Sequence, residues 1–251
     1  MTGKRKAAVS VFVVLGAVAV SFFAMSASPR ARPLGPEAPL VEAGDSQVDA
    51  ESIESYSARY TLRTKVMGVP IESRPVEVTV ERVDDELHVE FGFPGLTDQM
   101  AFDGATLRPL RRGFPGQQFE FMGDRVVAQL GTEDTGLTER TFDFPWSVFE
   151  VSVLELVARG LALPTRLPWD DFQNPDDALA HIRQVETETV RGPDGADVDT
   201  MVLDIGFSDG TLRRYWLSAD PPYKIRQHSY DRGRALVSSW ELEGFELRSD
   251  Y

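Results

Sequence analysis

From Ser55 onward the chain alternates apolar and polar residues with a period of two. Tyr56, Ala58, Tyr60 and Leu62 fall on one side and Arg59, Thr61 and Arg63 on the other, the pattern of a strand with one buried face. Met67-Gly68-Val69-Pro70 turns the chain, and Val76, Val78 and Val80 repeat the signal against Glu77, Thr79 and Glu81. After Val83-Asp84-Asp85-Glu86, Leu87, Val89 and Phe91 face inward while His88 and Glu90 face outward. Met100 to Phe102 and Leu107 to Leu110 form a further pair around Asp103-Gly104, where the glycine is expected to take the positive φ of a tight hairpin. Phe119 to Phe121, Arg125 to Leu130 and Leu137 to Phe142 follow in quick succession. Alternation resumes at His181 to Arg191, Val198 to Phe207, Leu212 to Leu217, Tyr223 to Tyr230 and Ala235 to Glu243. Pro193-Asp194-Gly195, Asp209-Gly210, Pro221-Pro222 and Gly233 supply the turns. About a dozen strands joined by hairpins make an antiparallel meander, and a sheet of that length curls.

One segment breaks the strand pattern. Residues 147–160 read as an α-helix, with Ser147 and Glu150 spaced as a capping box and Gly160 as its stop. At 100° per residue, Ser152, Glu155 and Arg159 form one narrow polar stripe, with Glu155 and Arg159 spaced as an i,i+4 ion pair. Phe149, Val153, Leu156 and Val157 centre an apolar arc that Val151, Leu154 and Ala158 widen past half the circumference. A helix lying on a flat sheet does not need so wide an arc, so other chain must wrap around it. Two readings follow. Either the helix fills a curved sheet as core, or it is the lid of an apolar ligand cavity, in which case Phe149, Val153, Leu156 and Val157 contact the ligand and Trp216 is a candidate wall residue. Residues 161–180, with Pro164, Pro168 and Pro175, read as loop.

The amino-terminal sequence changes where this domain is expected to work. Lys4, Arg5 and Lys6 precede an uncharged run from Ala7 to Met25, the layout of an export signal. Ala24-Met25-Ser26 offers a small-x-small cleavage site, and the run is also long enough to remain as an uncleaved anchor. Residues 27–50 are rich in proline and poor in bulky residues and read as a flexible linker, leaving residues 51–251 as one β-rich domain. A periplasmic location follows. The chain contains no cysteine, which excludes disulfides, thiolate metal sites and lipid attachment at an amino-terminal cysteine. Its formal charge is −14; residues 1–26 carry three basic and no acidic residues, so their removal leaves 23 basic against 40 acidic residues, or −17. A balance so acidic repels nucleic acid and anionic lipid surfaces and favours solubility. Lysine is scarce beyond the leader, occurring only at Lys65 and Lys224.

Catalytic chemistry finds little support. No Gly-x-Ser-x-Gly elbow and no phosphate-binding Gly-x-x-x-x-Gly-Lys loop is present. His88, His181 and His228 stand far apart, and none has a partner histidine at metal-ligating spacing. Asp170-Asp171 and Asp176-Asp177 invite a calcium reading, but Phe172 and Pro175 interrupt the alternating ligand spacing, so a solvated acidic loop fits better. No catalytic residue, metal or cofactor is assigned. Trp146, Trp169, Trp216 and Trp240 read as core or rim packing.

Four stretches taken together resemble a known family. They are Phe102-Asp103-Gly104 with Leu107; residues 152–164, SVLELVARGLALP; the turn Val190-Arg191-Gly192-Pro193-Asp194-Gly195; and residues 208–223, SDGTLRRYWLSADPPY. They are similar to a group of exported bacterial proteins of unknown function related to the LolA/LolB-like lipoprotein-carrier half-barrels, over roughly residues 55–243. The resemblance implies a mainly β fold, a long antiparallel meander strongly curved around a single helix, whose concave side shelters acyl chains in the carriers. It implies no catalytic residue. Two functions therefore stand open: a carrier-like protein holding a lipid or hydrophobic peptide segment, and a non-catalytic envelope assembly protein with a dry core and a protein partner.

Overall fold

The alternating pattern is realised as fourteen strands in one antiparallel sheet. The computed structural model describes residues 38–66, 69–132, 136–143, 149–169 and 178–248. The strands are β1 (Tyr56–Val66), β2 (Val69–Val83), β3 (Glu86–Phe93), β4 (Leu96–Asp103), β5 (Pro109–Phe114), β6 (Gln117–Phe121), β7 (Arg125–Thr132) and β8 (Gly136–Asp143). After a helix come β9 (Thr165–Pro168), β10 (Leu179–Arg191), β11 (Asp197–Phe207), β12 (Leu212–Leu217), β13 (Lys224–Tyr230) and β14 (Leu236–Leu247). The order across the sheet is β8-β7-β6-β5-β4-β3-β2-β1-β14-β13-β12-β11-β10-β9. The chain thus starts in the middle, works outward to one edge, crosses to the opposite edge and works back until β14 pairs with β1, setting Leu62 opposite Trp240. The sheet is curved and open, with β8 and β9 as its two edge strands.

The crossing lies over the inward face. Tyr56, Ala58, Tyr60, Val76, Val78, Val80, Leu87 and Val89 point to that face and are buried, as the period of two requires. The helix itself is shorter than its sequence suggests: a 3₁₀ turn, Val151–Val153, leads into α1, Leu154–Arg159. Ser147 lies outside the described residues. Glu150 is not the third residue of a capping box but the cap itself, in extended conformation, accepting from the Ser152 N–H at 2.6 Å. Phe149 is not helical either; its N–H donates to the Pro168 carbonyl, and it bridges to Trp169 in parallel. Arg112 on β5 explains the late start, because its guanidinium holds the Glu150 carboxylate at 2.6 Å and keeps that residue outside the helix.

Three further expectations change. The positive φ near Asp103 falls on Leu107 (55°), a buried residue, and not on Gly104, so this is a wider loop in which the Asp103 carboxylate accepts from Ala105, Thr106 and the Thr106 hydroxyl. Within the proline-rich stretch, Thr165–Pro168 forms a short strand because β10 is there to pair with it, a partner no local signal announces. Residues 38–50, read as part of a linker, are packed. Val41, Ala43, Val48 and Ala50 are buried in the main core with Ile53, and the segment runs along the sheet end where β2, β4 and β12 finish.

Side chains of the sheet hold this arm by its main chain. Arg166 Nε donates to the Ala38 carbonyl, Arg108 donates through Nε and Nη2 to Ala43, Arg82 donates to Ala50, and the Tyr223 hydroxyl donates to Ser52. Residues 39–41 also add to the outer edge of β9 through Val41 N–H to Arg166 O and Arg166 N–H to Pro39 O, each 2.9 Å. Gly44 has φ +90°, and a Cβ there would stand 2.6 Å from Arg108 Nη2. Gly44→Ala is therefore expected to cost about 1–3 kcal/mol and to speed amide exchange at Val41 and Val48. Unchanged exchange at both amides would mean that the arm is not clamped there. Among the described residues no helix is long and apolar enough to cross a membrane.

Candidate functional site

The space between α1 and the sheet is where the sequence places a ligand, and it is built from polar groups as well as apolar ones. At the head of the helix, Arg112 reaches inward from β5. Its Nη2 and Nε face the Asp98 carboxylate at 3.0 and 3.3 Å, while Nη1 faces Glu150. The Ser152 hydroxyl donates to Glu150 and lies 3.0 Å from the Met100 sulfur. Burial pushes Asp98 up to about 6, outweighing the opposing pull of Arg112, and the neighbouring Glu150 charge adds to the rise.

One turn later the polar stripe of α1 also points inward. Glu155 does not pair with Arg159; its Oε1 meets Lys224 Nζ of β13 at 3.1 Å, both side chains being buried. Lys224 Nζ lies 4.8 Å from the centroid of Trp240, 5.4 Å from Tyr60 and 5.9 Å from Phe91, so aromatic faces supplement its one carboxylate. The Tyr60 hydroxyl donates to the Lys224 carbonyl at 2.8 Å. Burial, and then the Glu155 charge, raise the Tyr56 and Tyr215 phenols well above their ordinary range, so they stay neutral at physiological pH. Arg159 closes the end of the helix, donating to Ala219 O and Ser52 Oγ and stacking 4.0 Å over Tyr223.

Phe149, Val153, Leu156 and Val157 come together, as the helical arc predicts, all buried in the main core. Val151 is half-buried against the same cluster. Between the helix and Tyr56, Val78, Val80, Val89 and Phe91 remains a void of about 10 Å³. Such a space holds one water at most and no acyl chain. Trp216 is elsewhere. Tyr215 and Leu217 on β12 face the helix, so Trp216 points to the opposite face, where it packs with Val190, Val202 and Ile225 and donates to Glu188 at 2.6 Å. It is not a wall of the interior, because one step along a strand reverses the face. Lys224, the residue that organises this interior, was missed. Its signal was rarity, since it is one of only two lysines beyond the leader.

The outer face of the first half of the sheet carries a larger depression, of about 570 Å³, running across β2 to β7. Thr79, His88, Glu90, Gln99, Arg111 and Gln118 line it. Glu86 beside it accepts from Arg111 and from His88, and those hydrogen bonds, Arg111 first, hold its carboxyl below the usual range. Next to this trough, β8 is an edge strand: among the described residues it pairs with β7 alone, and its side chains from Thr138 to Asp143 are exposed. The edge at β9 is instead covered by the arm. Among the described residues no group of three or more His, Asp or Glu is arranged to hold a metal. Asp170, Asp171, Asp176, Asp177 and Trp146 lie outside the described residues.

No protein-family model and no curated protein matches the chain. Among solved structures it is similar to MucB in its complex with MucA of Pseudomonas aeruginosa, at 10% identity and TM-score 0.38, over 80% of this chain and 54% of that one. It is similar to a structure described as an outer membrane lipoprotein-sorting protein domain from Vibrio parahaemolyticus, at 11% identity and TM-score 0.30, over 79% and 87% of the two chains. The lipoprotein YmcC of Escherichia coli is similar at 9% identity and TM-score 0.32, over 80% and 90%. These are bacterial proteins of the kind the sequence resemblance names. This chain spans little more than half the length of MucB. Likeness at this level says nothing about what this chain binds, so its function is argued from its own residues.

Proposed function

We propose that this chain is an exported, non-catalytic protein of the cell envelope that acts by binding a partner protein. The observation that carries the reading is the packed space between α1 and strands β1 to β3, where a void of only about 10 Å³ is left. The outer trough is accessible, and so is the adjoining β8 edge, which among the described residues has N–H and C=O groups able to take up an extended partner segment. Export is read from the leader, which is cleaved or kept as an anchor, and residues 38–50 pack with the folded domain. Phe149, Val153, Leu156 and Val157 then serve as core.

Because the chain lacks cysteine, Arg140→Cys on β8 gives a single site for a photo-crosslinker in the intact envelope. One discrete protein adduct is expected, together with no stoichiometric lipid in an extract of protein purified without detergent. A bound lipid and no adduct would overturn the proposal in favour of a carrier whose helix and arm are displaced on loading.

A further inference from the structure

The hairpin of β1 and β2 reaches past its neighbours. β14 leaves β1 at the Thr64–Ser238 pair, and β3 joins β2 only from Glu77, whereas β1 and β2 stay paired as far as Val66 and Val69. Residues 69–73 are consequently all exposed, and the projecting part carries the most exposed group of large apolar residues in the fold: Val66 at 53%, Val69 at 63% and Ile71 at 62%. Scattered single apolar residues on a surface need no account, but three at one tip of a projecting element do.

The charges around this tip run against the rest of the chain. Residues 63–75 carry Arg63, Lys65 and Arg74 against Glu72, and the β13–β14 turn at the same end of the sheet adds Arg234 against Asp231, while Arg232 of that turn packs over Gly210 instead. Four cations face two anions, on a chain whose formal charge is −14. Exposed charges farther away than about 8 Å are largely screened at physiological salt, so an approaching surface meets this local excess.

We propose that the β1–β2 hairpin tip docks on an anionic phospholipid surface, Val66, Val69 and Ile71 entering the headgroup boundary while the surrounding cations meet lipid phosphates. Exposed apolar residues ringed by basic ones form the combination that an anionic interface rewards. A net excess of two charges gives a preference for anionic over neutral bilayers on the order of thirtyfold.

The test uses the full chain with one added cysteine carrying an environment-sensitive fluorophore, at the tip (Ile71→Cys) or at the opposite end of the sheet (Glu246→Cys). Vesicles of phosphatidylcholine alone are compared with vesicles of phosphatidylcholine and phosphatidylglycerol in equal parts. The tip probe is expected to shift to the blue only with phosphatidylglycerol, to lose the shift at high salt, and to lose it again with Val69→Asp, a change at an exposed position outside the core. The probe at position 246 is expected to stay silent, and it reports any binding driven by the leader instead. No shift at the tip, an equal shift with neutral vesicles, or an equal response at position 246 would each overturn the proposal.

Discussion

Lys224→Met is expected to lower the stability of the folded protein by about 3–5 kcal/mol, the usual penalty for stranding one member of a buried ion pair. Glu155 is buried on the inward side of α1, with its carboxylate 3.1 Å from Lys224 Nζ, and the void beside it has room for one water at most. The aromatic rings that supplement the ammonium, Trp240 above all, offer a carboxylate nothing but their negative faces. Removing both charges together should behave differently. A Glu155→Leu, Lys224→Met pair puts apolar groups on both sides of the gap and is expected to return to within about 1 kcal/mol of the parent, since well-packed apolar replacements for buried pairs are near neutral. Urea unfolding midpoints of the two single variants and the double variant measure this. Should the lysine variant lose less than about 1 kcal/mol, the interior polar pair is solvated, and the half-barrel is looser than its 10 Å³ void implies.

The second large effect is one of sign. Asp98 is held up to about 6 by burial, above its ordinary value of 3.8. A carboxyl whose folded value is raised contributes stability that is fully present below the unfolded value and is lost as pH rises through the folded one. Ionised Asp98 therefore costs the fold up to about 3 kcal/mol at neutral pH, despite its contact with Arg112. Asp98→Asn is expected to stabilise the protein by as much as that above about pH 7, the advantage shrinking as pH falls through 6 and vanishing near 4. Arg112 keeps Glu150 as its partner in the variant, so no cation is left stranded. Melting temperatures of parent and variant across that range decide the matter. A constant offset would assign the effect to packing, and a variant less stable at neutral pH would show that the Arg112 contact outweighs burial.

Strand residues were legible because a period of two is a local property. Tyr56 to Leu62, Val76 to Val80 and Leu87 to Val89 could be assigned to the buried face from the sequence, and they are there. The wide apolar arc of the helix was legible for the same reason, and α1 is indeed enclosed on all sides. Its start was not, since Arg112, which draws Glu150 out of the helix, is 38 residues away in the chain. The local spacing pairs Glu155 with Arg159, and nothing local reveals that Lys224 stands opposite Glu155 instead. Trp216 failed by a single step of register, which is enough to move a side chain from the inner to the outer face.

The sequence by itself determined the antiparallel meander, its single helix and the charge of the whole chain, because periodicity, turn residues and composition need no knowledge of distant partners. Only the tertiary structure decided that residues 38–50 fill the cup, since their small apolar residues gain a role only where Arg82, Arg108 and Arg166 grip their carbonyls. It alone also set Arg234 of the β13–β14 turn at the end of the sheet where the β1–β2 hairpin projects. A sum over the sequence carries no positions, whereas a surface responds to the charges within a screening length of it.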